Sequence, residues 1–124
     1  MPRILLLDDE TQLRELLKEV LSAEGYDVIA SGDGNLTRDA SVVRDVDVVV
    51  TDVMMPNFDG LEVVRSVRRH APNVKIIAMS GGGRTVSQDF LPVAGKLGAD
   101  RLLYKPFSPF DLVEEIRQLT ASAA

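Results

Sequence analysis

The run Val46-Asp47-Val48-Val49-Val50-Thr51-Asp52 constrains this chain more than any other stretch. Four valines around one aspartate, over so short a length, read as a strand buried on both faces, the kind that belongs to a parallel sheet. The run ends in a carboxylate, Asp52, and then breaks at Met55-Pro56 and the turn residues Asn57-Phe58-Asp59-Gly60. Open α/β sheets place their chemistry in the crevice beyond the carboxyl ends of their strands. Asp52 is therefore either a functional carboxylate or a plain turn cap, and the other strand ends have to decide between the two.

The same grammar recurs along the chain. Ile4-Leu5-Leu6-Leu7 is an apolar run that ends in Asp8-Asp9-Glu10. Leu13, Leu16, Leu17, Val20 and Leu21 then fall on one helical face, with Asp9 predicted as N-cap and Gln12 three residues on. Tyr26 to Ala30 is a second strand, and Leu36 to Arg44 a weak helix. Val46 to Thr51 is the third strand. Leu61, Val63, Val64 and Val67 line a helix whose other face carries Glu62, Arg65, Arg68 and Arg69, the arginines being predicted as solvated. Val74 to Met79 is a fourth strand and ends in Ser80. Phe90 to Leu97 is a helix, and Arg101 to Tyr104 a fifth strand ending in Lys105-Pro106. Ser108-Pro109-Phe110-Asp111 starts a last helix, with serine as N-cap and proline at the first helical position. Strand and helix alternate five times. That pattern predicts right-handed βαβ units and an α/β, flavodoxin-like, doubly wound (βα)5 fold, with a five-stranded parallel sheet in the order 2-1-3-4-5.

Composition narrows the setting. At 124 residues the chain makes one domain, read here as residues 1–120 with a frayed tail at 121–124. Net charge is −5 and the isoelectric point near 4.8, which argues against direct nucleic-acid binding. No apolar run approaches the ~20 residues that span a bilayer. The absence of cysteine excludes disulfides and thiolate metal sites. A cytoplasmic protein is the expectation.

Four of the five predicted strands end in a polar group: Asp8-Asp9, Asp52, Ser80 and Lys105. In a parallel sheet these ends share one edge, with neighbouring strands ~4.8 Å apart. Two carboxylates ~4 Å apart repel by ~4 kcal/mol at an effective dielectric near 20. Three carboxylates against one lysine therefore call for a further cation. An oxygen-rich, sparsely liganded site suits Mg²⁺, which keeps several waters and shares its sphere with phosphoryl oxygens. Beside such an ion a carboxylate can attack phosphorus, while an ammonium and a hydroxyl hold the equatorial oxygens. The predicted chemistry is phosphoryl transfer onto an aspartate.

At Leu7-Asp8-Asp9, Asp52-Val53-Met54-Met55-Pro56 with Asp59-Gly60, Ser80, and Lys105-Pro106-Phe107, the chain resembles receiver domains of two-component response regulators. The resemblance spans essentially the whole length. It implies Asp52 as the phosphoacceptor, with Ser80 and Lys105 binding the phosphoryl group. It implies Asp9 and Asp52 as direct Mg²⁺ ligands, Asp8 acting through water, and the Met54 backbone carbonyl as the remaining protein ligand. It also implies a cis peptide at Lys105-Pro106. The implied partners are a sensor histidine kinase or histidine phosphotransfer protein as donor, and a downstream protein on the face of the fourth helix, fifth strand and fifth helix, including Phe90, Leu91, Arg101 and Phe110. Neither nucleic acid nor membrane is expected as a partner. Because the last predicted helix is followed by only a short tail, the expectation is a stand-alone regulator with a noncovalent partner. It is not expected to be an enzyme beyond its own phosphorylation and dephosphorylation.

Two departures from the family pattern stand out, one at Leu102 and the other a segment from Ser80 to Asp100 that is a few residues longer than is typical. The residue three before the lysine is usually aromatic and is Leu102 here. Tyr104, next to the lysine, is read as packing at the strand end on the same face as Leu102. Gly81-Gly82-Gly83 reads as a hinge, since it lacks a nucleotide-binding signature. Arg84 reads as solvated, and His70 as a dipole partner at a helix end. The residues speak against two rival readings. An aspartyl-phosphate hydrolase would place a second aspartate where Met54 stands. An inert interaction module would have no use for Asp8, Asp9, Asp52, Ser80 and Lys105.

Overall fold

The computed structural model describes residues 2–55, 58–80 and 93–121. Its elements are β1 (Arg3–Leu7), α1 (Thr11–Ala23), β2 (Asp27–Ser31), a 3-10 turn (Gly34–Arg38), α2 (Ala40–Arg44), β3 (Val48–Asp52), a short hairpin of β4 (Met54–Met55) and β5 (Phe58–Asp59), α3 (Gly60–His70), β6 (Lys75–Ser80), the helical residues 93–97 (α4), β7 (Arg101–Tyr104) and α5 (Pro109–Ala121). Five strands form one parallel sheet in the order β2-β1-β3-β6-β7. With the hairpin strands set aside, this is the predicted 2-1-3-4-5 order.

Strand alternation sorts the core into two layers. Ile4, Leu6, Val48, Val50, Ile77 and Met79 face α1 and α5, where they meet Leu17, Leu21, Leu112 and Ile116. Leu5, Leu7, Val49, Ile76 and Ala78 face the other way, onto Val43 of α2, Val63, Val64 and Val67 of α3, and Ala94 of α4. β3 is buried at every position, as its valine run requires. Within α1, Leu17 and Leu21 are buried while Leu16 is 47% exposed, so the apolar stripe is narrower than its spacing predicts.

Several local expectations are corrected. The N-cap of α1 is Glu10, not Asp9, and it makes no side-chain capping bond. The Glu10 N–H instead donates to Asp8 Oδ1 at 2.9 Å. The predicted helix over 36–44 is two pieces. Asp39 is extended and its carboxylate accepts from the Ser41 N–H at 3.0 Å, restarting the helix at Ala40; Asp33 does the same for the 3-10 turn through Asn35. The turn expected after Met55 contains the β4–β5 hairpin. Ser108 caps α5 as predicted: its Oγ accepts from the Phe110 N–H, and Asp111 Oδ2 accepts from the Ser108 N–H at 3.0 Å.

Arg68 is not on a solvated face. Its guanidinium donates to the carbonyls of Pro72, Val74 and Gly98 and to the Asp100 carboxylate, all between 2.6 and 3.0 Å. It thereby ties the end of α3 to the start of β6 and to the turn after α4. Tyr104 is 50% exposed rather than packed. The Gly81–Gly83 hinge, Arg84, Phe90, Leu91 and the tail from 122 lie outside the described residues.

Candidate functional site

The site forms at the carboxyl edge of the sheet, where alternation and sheet order together select its members. Asp8 follows Leu6 by two residues, Asp52 follows Val50, and Lys105 follows Leu103. Each of those apolar residues packs on the α1/α5 layer, so the three polar side chains continue on that face. Ser80 follows Ala78 and belongs to the opposite face, buried at 1% exposure.

Asp8 and Asp52 are almost fully buried, and Lys105 reaches both. Its Nζ lies 2.8 Å from Asp8 Oδ2 and 3.0 Å from Asp52 Oδ2, with Glu10 Oε1 farther out at 3.6 Å. Burial by itself would pull the ammonium pKa down. The hydrogen bond to Asp8 and the charge of Asp52 outweigh it, and the pKa stands above its ordinary 10.5. The Lys105 N–H donates to the Ser80 carbonyl at 3.1 Å, which fixes the start of the loop after β7. The Lys105-Pro106 peptide is cis, as the resemblance implied.

Asp8, Asp9 and Asp52 each offer a carboxylate oxygen, and these oxygens lie within 4.8 Å of one another. Asp9 is exposed. This donor set fits a hard divalent cation: it is all oxygen, has one member open to water, and contains more negative charge than one ammonium neutralises. Met54 lies in β4, opposite Asp59.

Behind the site the backbone is closely packed. A Cβ on Gly60 would sit 2.2 Å from Val53 Cα and 2.6 Å from the Val53 carbonyl oxygen. Only glycine therefore lets α3 begin directly against the residue after Asp52. Leu102 packs on the α3 layer. At the end of β7 and the start of α5, Tyr104 and Phe110 are exposed, the latter at 66%, and Arg101 is half-buried with its Nε 2.9 Å from Glu115 Oε2.

Sequence reasoning missed two contacts. Glu10 extends the acidic cluster towards Lys105, and Arg14 of α1 donates to the Asp8 carbonyl oxygen at 2.8 Å. Arg14 falls on the polar face of an amphipathic helix, where nothing in the spacing separates it from a solvated arginine.

A doubly wound parallel sheet with acidic groups and one lysine meeting at its carboxyl edge defines a small α/β domain with an acidic pocket at that edge. The profile of the response regulator receiver domain matches residues 4–117, and the chain belongs to that family. It is 36% identical over 120 residues to the transcriptional regulatory protein CpxR of Escherichia coli (strain K12), covering 96% of this chain and 49% of CpxR. The chain thus spans about half the length of the curated relatives it matches. A receiver domain protein from Clostridium thermocellum superposes with a TM-score of 0.88 at 27% identity, over 99% of this chain and 97% of that one. The response regulator TrrA from Thermotoga maritima, solved in complex with Mg²⁺-BeF, is 33% identical with a TM-score of 0.79, over 96% and 99% of the two chains. Among the described residues no helix is long and apolar enough to cross a membrane.

Proposed function

We propose that this protein is a cytoplasmic, Mg²⁺-dependent phosphoryl acceptor. Asp52 takes the phosphoryl group from a histidine kinase or a histidine phosphotransfer protein, and the signal passes to a noncovalent partner. The observation that carries this reading is the convergence of one lysine on two buried carboxylates with a third beside them, in a chain of the receiver family.

In the proposed reaction a carboxylate oxygen of Asp52 attacks phosphorus. The new O–P bond forms as the P–N bond to the donor imidazole breaks, and the imidazole leaves with that electron pair. Lys105, which bridges Asp8 and Asp52 before reaction, turns its ammonium to a phosphoryl oxygen. The Ser80 hydroxyl donates to another as charge spreads onto them. Asp9 and Asp52 would hold Mg²⁺ directly, with Asp8 acting through water and the Met54 carbonyl as a further ligand. When bound, the ion neutralises the carboxylates and the incoming phosphoryl oxygens. Catalysis is confined to the protein's own phosphorylation and dephosphorylation.

The output face is formed by α4, β7 and α5, where Tyr104 and Phe110 stand exposed beside Arg101. Leu102 cannot supply the inward-turning aromatic group usual at that position. The change at Ser80 therefore reaches this face by a route other than an inward-turning aromatic group.

Incubation with Mg²⁺ and acetyl phosphate, followed by intact-mass measurement, tests the reading. The protein is expected to gain one phosphoryl group, and Asp52→Asn none. An unmodified protein with the donor unconsumed would leave an inert module. Sustained release of phosphate from external substrates would make it a hydrolase.

A further inference from the structure

Asp8 and Asp9 are adjacent but held very differently. Every polar atom of Asp8 has a partner. Its N–H donates to the Ser31 carbonyl at 3.1 Å, its Oδ1 accepts from the Glu10 N–H at 2.9 Å, and its Oδ2 accepts from Lys105 at 2.8 Å. Its carbonyl oxygen accepts from the Arg14 guanidinium at 2.8 Å. The Asp9 carboxylate is exposed, and among the described residues no hydrogen bond or ion pair fixes it. Its place within 4.8 Å of the other two carboxylates is therefore set by its backbone.

That backbone is held on two sides. Arg14 reaches back from the start of α1 to the Asp8 carbonyl. Gly32, just after β2, closes the other side: a Cβ there would lie 2.9 Å from Arg14 Nη1, 3.6 Å from the Asp8 carbonyl oxygen and 3.7 Å from Asp9 Cα. The bare glycine leaves the guanidinium room beside the Asp8–Asp9 segment. A side chain there would displace the arginine or the peptide it grips.

We infer that Arg14 is a positioning residue for divalent-cation binding. Its bond to the Asp8 carbonyl, backed by Gly32, holds the Asp8–Asp9 peptide so that the Asp9 carboxylate stays at the pocket. The inference rests on Asp8, Asp9 and Asp52 being a cation site. Charge alone predicts the opposite sign. A guanidinium near the pocket repels an incoming cation, so its removal would tighten binding. Release of the peptide weakens binding instead, as happens when groups that orient metal ligands are lost.

The test uses Mn²⁺ as probe, with free ion counted by electron paramagnetic resonance against the unphosphorylated full chain. Urea unfolding in EDTA is run in parallel. Arg14→Ala is expected to weaken Mn²⁺ binding roughly ten-fold. Arg14→Lys, which keeps a cationic donor, should recover much of that loss. Gly32→Ala should weaken binding in the same direction with Arg14 intact. An Arg14→Ala affinity that is unchanged or tighter, with only the urea midpoint lowered, overturns the inference and leaves Arg14 a structural contact. A wild-type protein that takes up no Mn²⁺ removes the cation site itself, and the role of Arg14 with it. That result is distinct from a site that binds without needing Arg14.

Discussion

At each of the two edges of the parallel sheet one basic residue contacts three carboxylates, and the two groups differ in kind. At the carboxyl edge Lys105 meets Asp8, Asp52 and Glu10 at 2.8, 3.0 and 3.6 Å. At the amino edge the Arg3 side chain meets Asp27 at 2.9 Å and also pairs with Asp45, while its backbone N–H donates to Asp47 at 2.8 Å. The side chains of Lys105, Asp8 and Asp52 are 9%, 0% and 2% exposed. Those of Arg3, Asp27 and Asp45 are 39%, 55% and 66% exposed. Both cations have raised pKa values, but for different reasons. For Arg3 the leading cause is its hydrogen bond to Asp27; for Lys105 burial comes first and opposes the rise.

Water makes the difference. At the amino edge each carboxylate keeps its hydration, so Arg3 ties together the entries of β1, β2 and β3 at little gain or cost. At the carboxyl edge two buried carboxylates face one ammonium, and solvent cannot settle the imbalance. The surplus negative charge at the carboxyl edge is what the proposed divalent ion and phosphoryl group would answer. The same kind of contact is solvated at the amino edge and desolvated at the carboxyl edge.

The contrast can be broken most directly at the two cations. Lys105→Met leaves Asp8 and Asp52 facing each other, and in EDTA it is expected to cost about 3 kcal/mol of unfolding free energy. Mg²⁺ should narrow that gap. The loss should also depend on pH. The Lys105 pKa is raised on folding, so its stabilisation is complete below the ordinary lysine value of 10.5 and fades as pH climbs through the higher folded-state value. On the alkaline side wild type and Lys105→Met should therefore converge only at strongly alkaline pH. Denaturant titrations across pH, in EDTA, would show convergence near neutrality if the pair were not coupled.

A smaller effect tests cation uptake at one edge only. At a free Mg²⁺ concentration ten times its dissociation constant, the wild type should gain about 1.4 kcal/mol. Asp9→Asn should lose most of that gain, and Arg3→Gln should retain it. Equal responses in both variants would mean that Mg²⁺ acts through general screening.

Arg3→Gln should give a smaller shift in the urea midpoint, and molar salt should abolish it. A loss as large as that of Lys105→Met would end the contrast between the edges. The smallest effect is expected at Asp39, whose carboxyl is held below its ordinary 3.8 chiefly by the Ser41 hydroxyl. Its contribution is present above the unfolded value and disappears as pH falls through the lower folded one. The midpoints of wild type and Asp39→Ala should accordingly merge in acid, the reverse of the behaviour at Lys105.

Much of this was legible in the residues themselves. The valine run of β3, the apolar run of β1 and the alternation of strand and helix specify a parallel sheet with two covered faces. Two-residue alternation even places Asp8, Asp52 and Lys105 on one face, because each follows an apolar residue of the α1/α5 layer by two positions. Asp33 and Asp39, each two residues before the N–H it accepts, also mark breaks that a weak helical period concealed.

Other features depend on residues far apart in the chain. Arg68 occupies a polar position of α3, and periodicity alone assigns it to water. The folding back of the chain at Pro72 and Val74 and the approach of the α4–β7 turn, 30 residues away at Gly98, give its guanidinium carbonyls to hold. Gly60 reads as turn chemistry until Val53 lies against it. Arg14 and Gly32 become a pair only when β2 lies beside β1. The sequence by itself determined the layers, the faces and the chemical types at the strand ends, because these follow from local periodicity and burial. Tertiary structure alone decided which charges are dry, which are wet, and how the Asp8–Asp9 peptide is gripped, because desolvation and close approach are set by neighbours that the chain brings together from a distance.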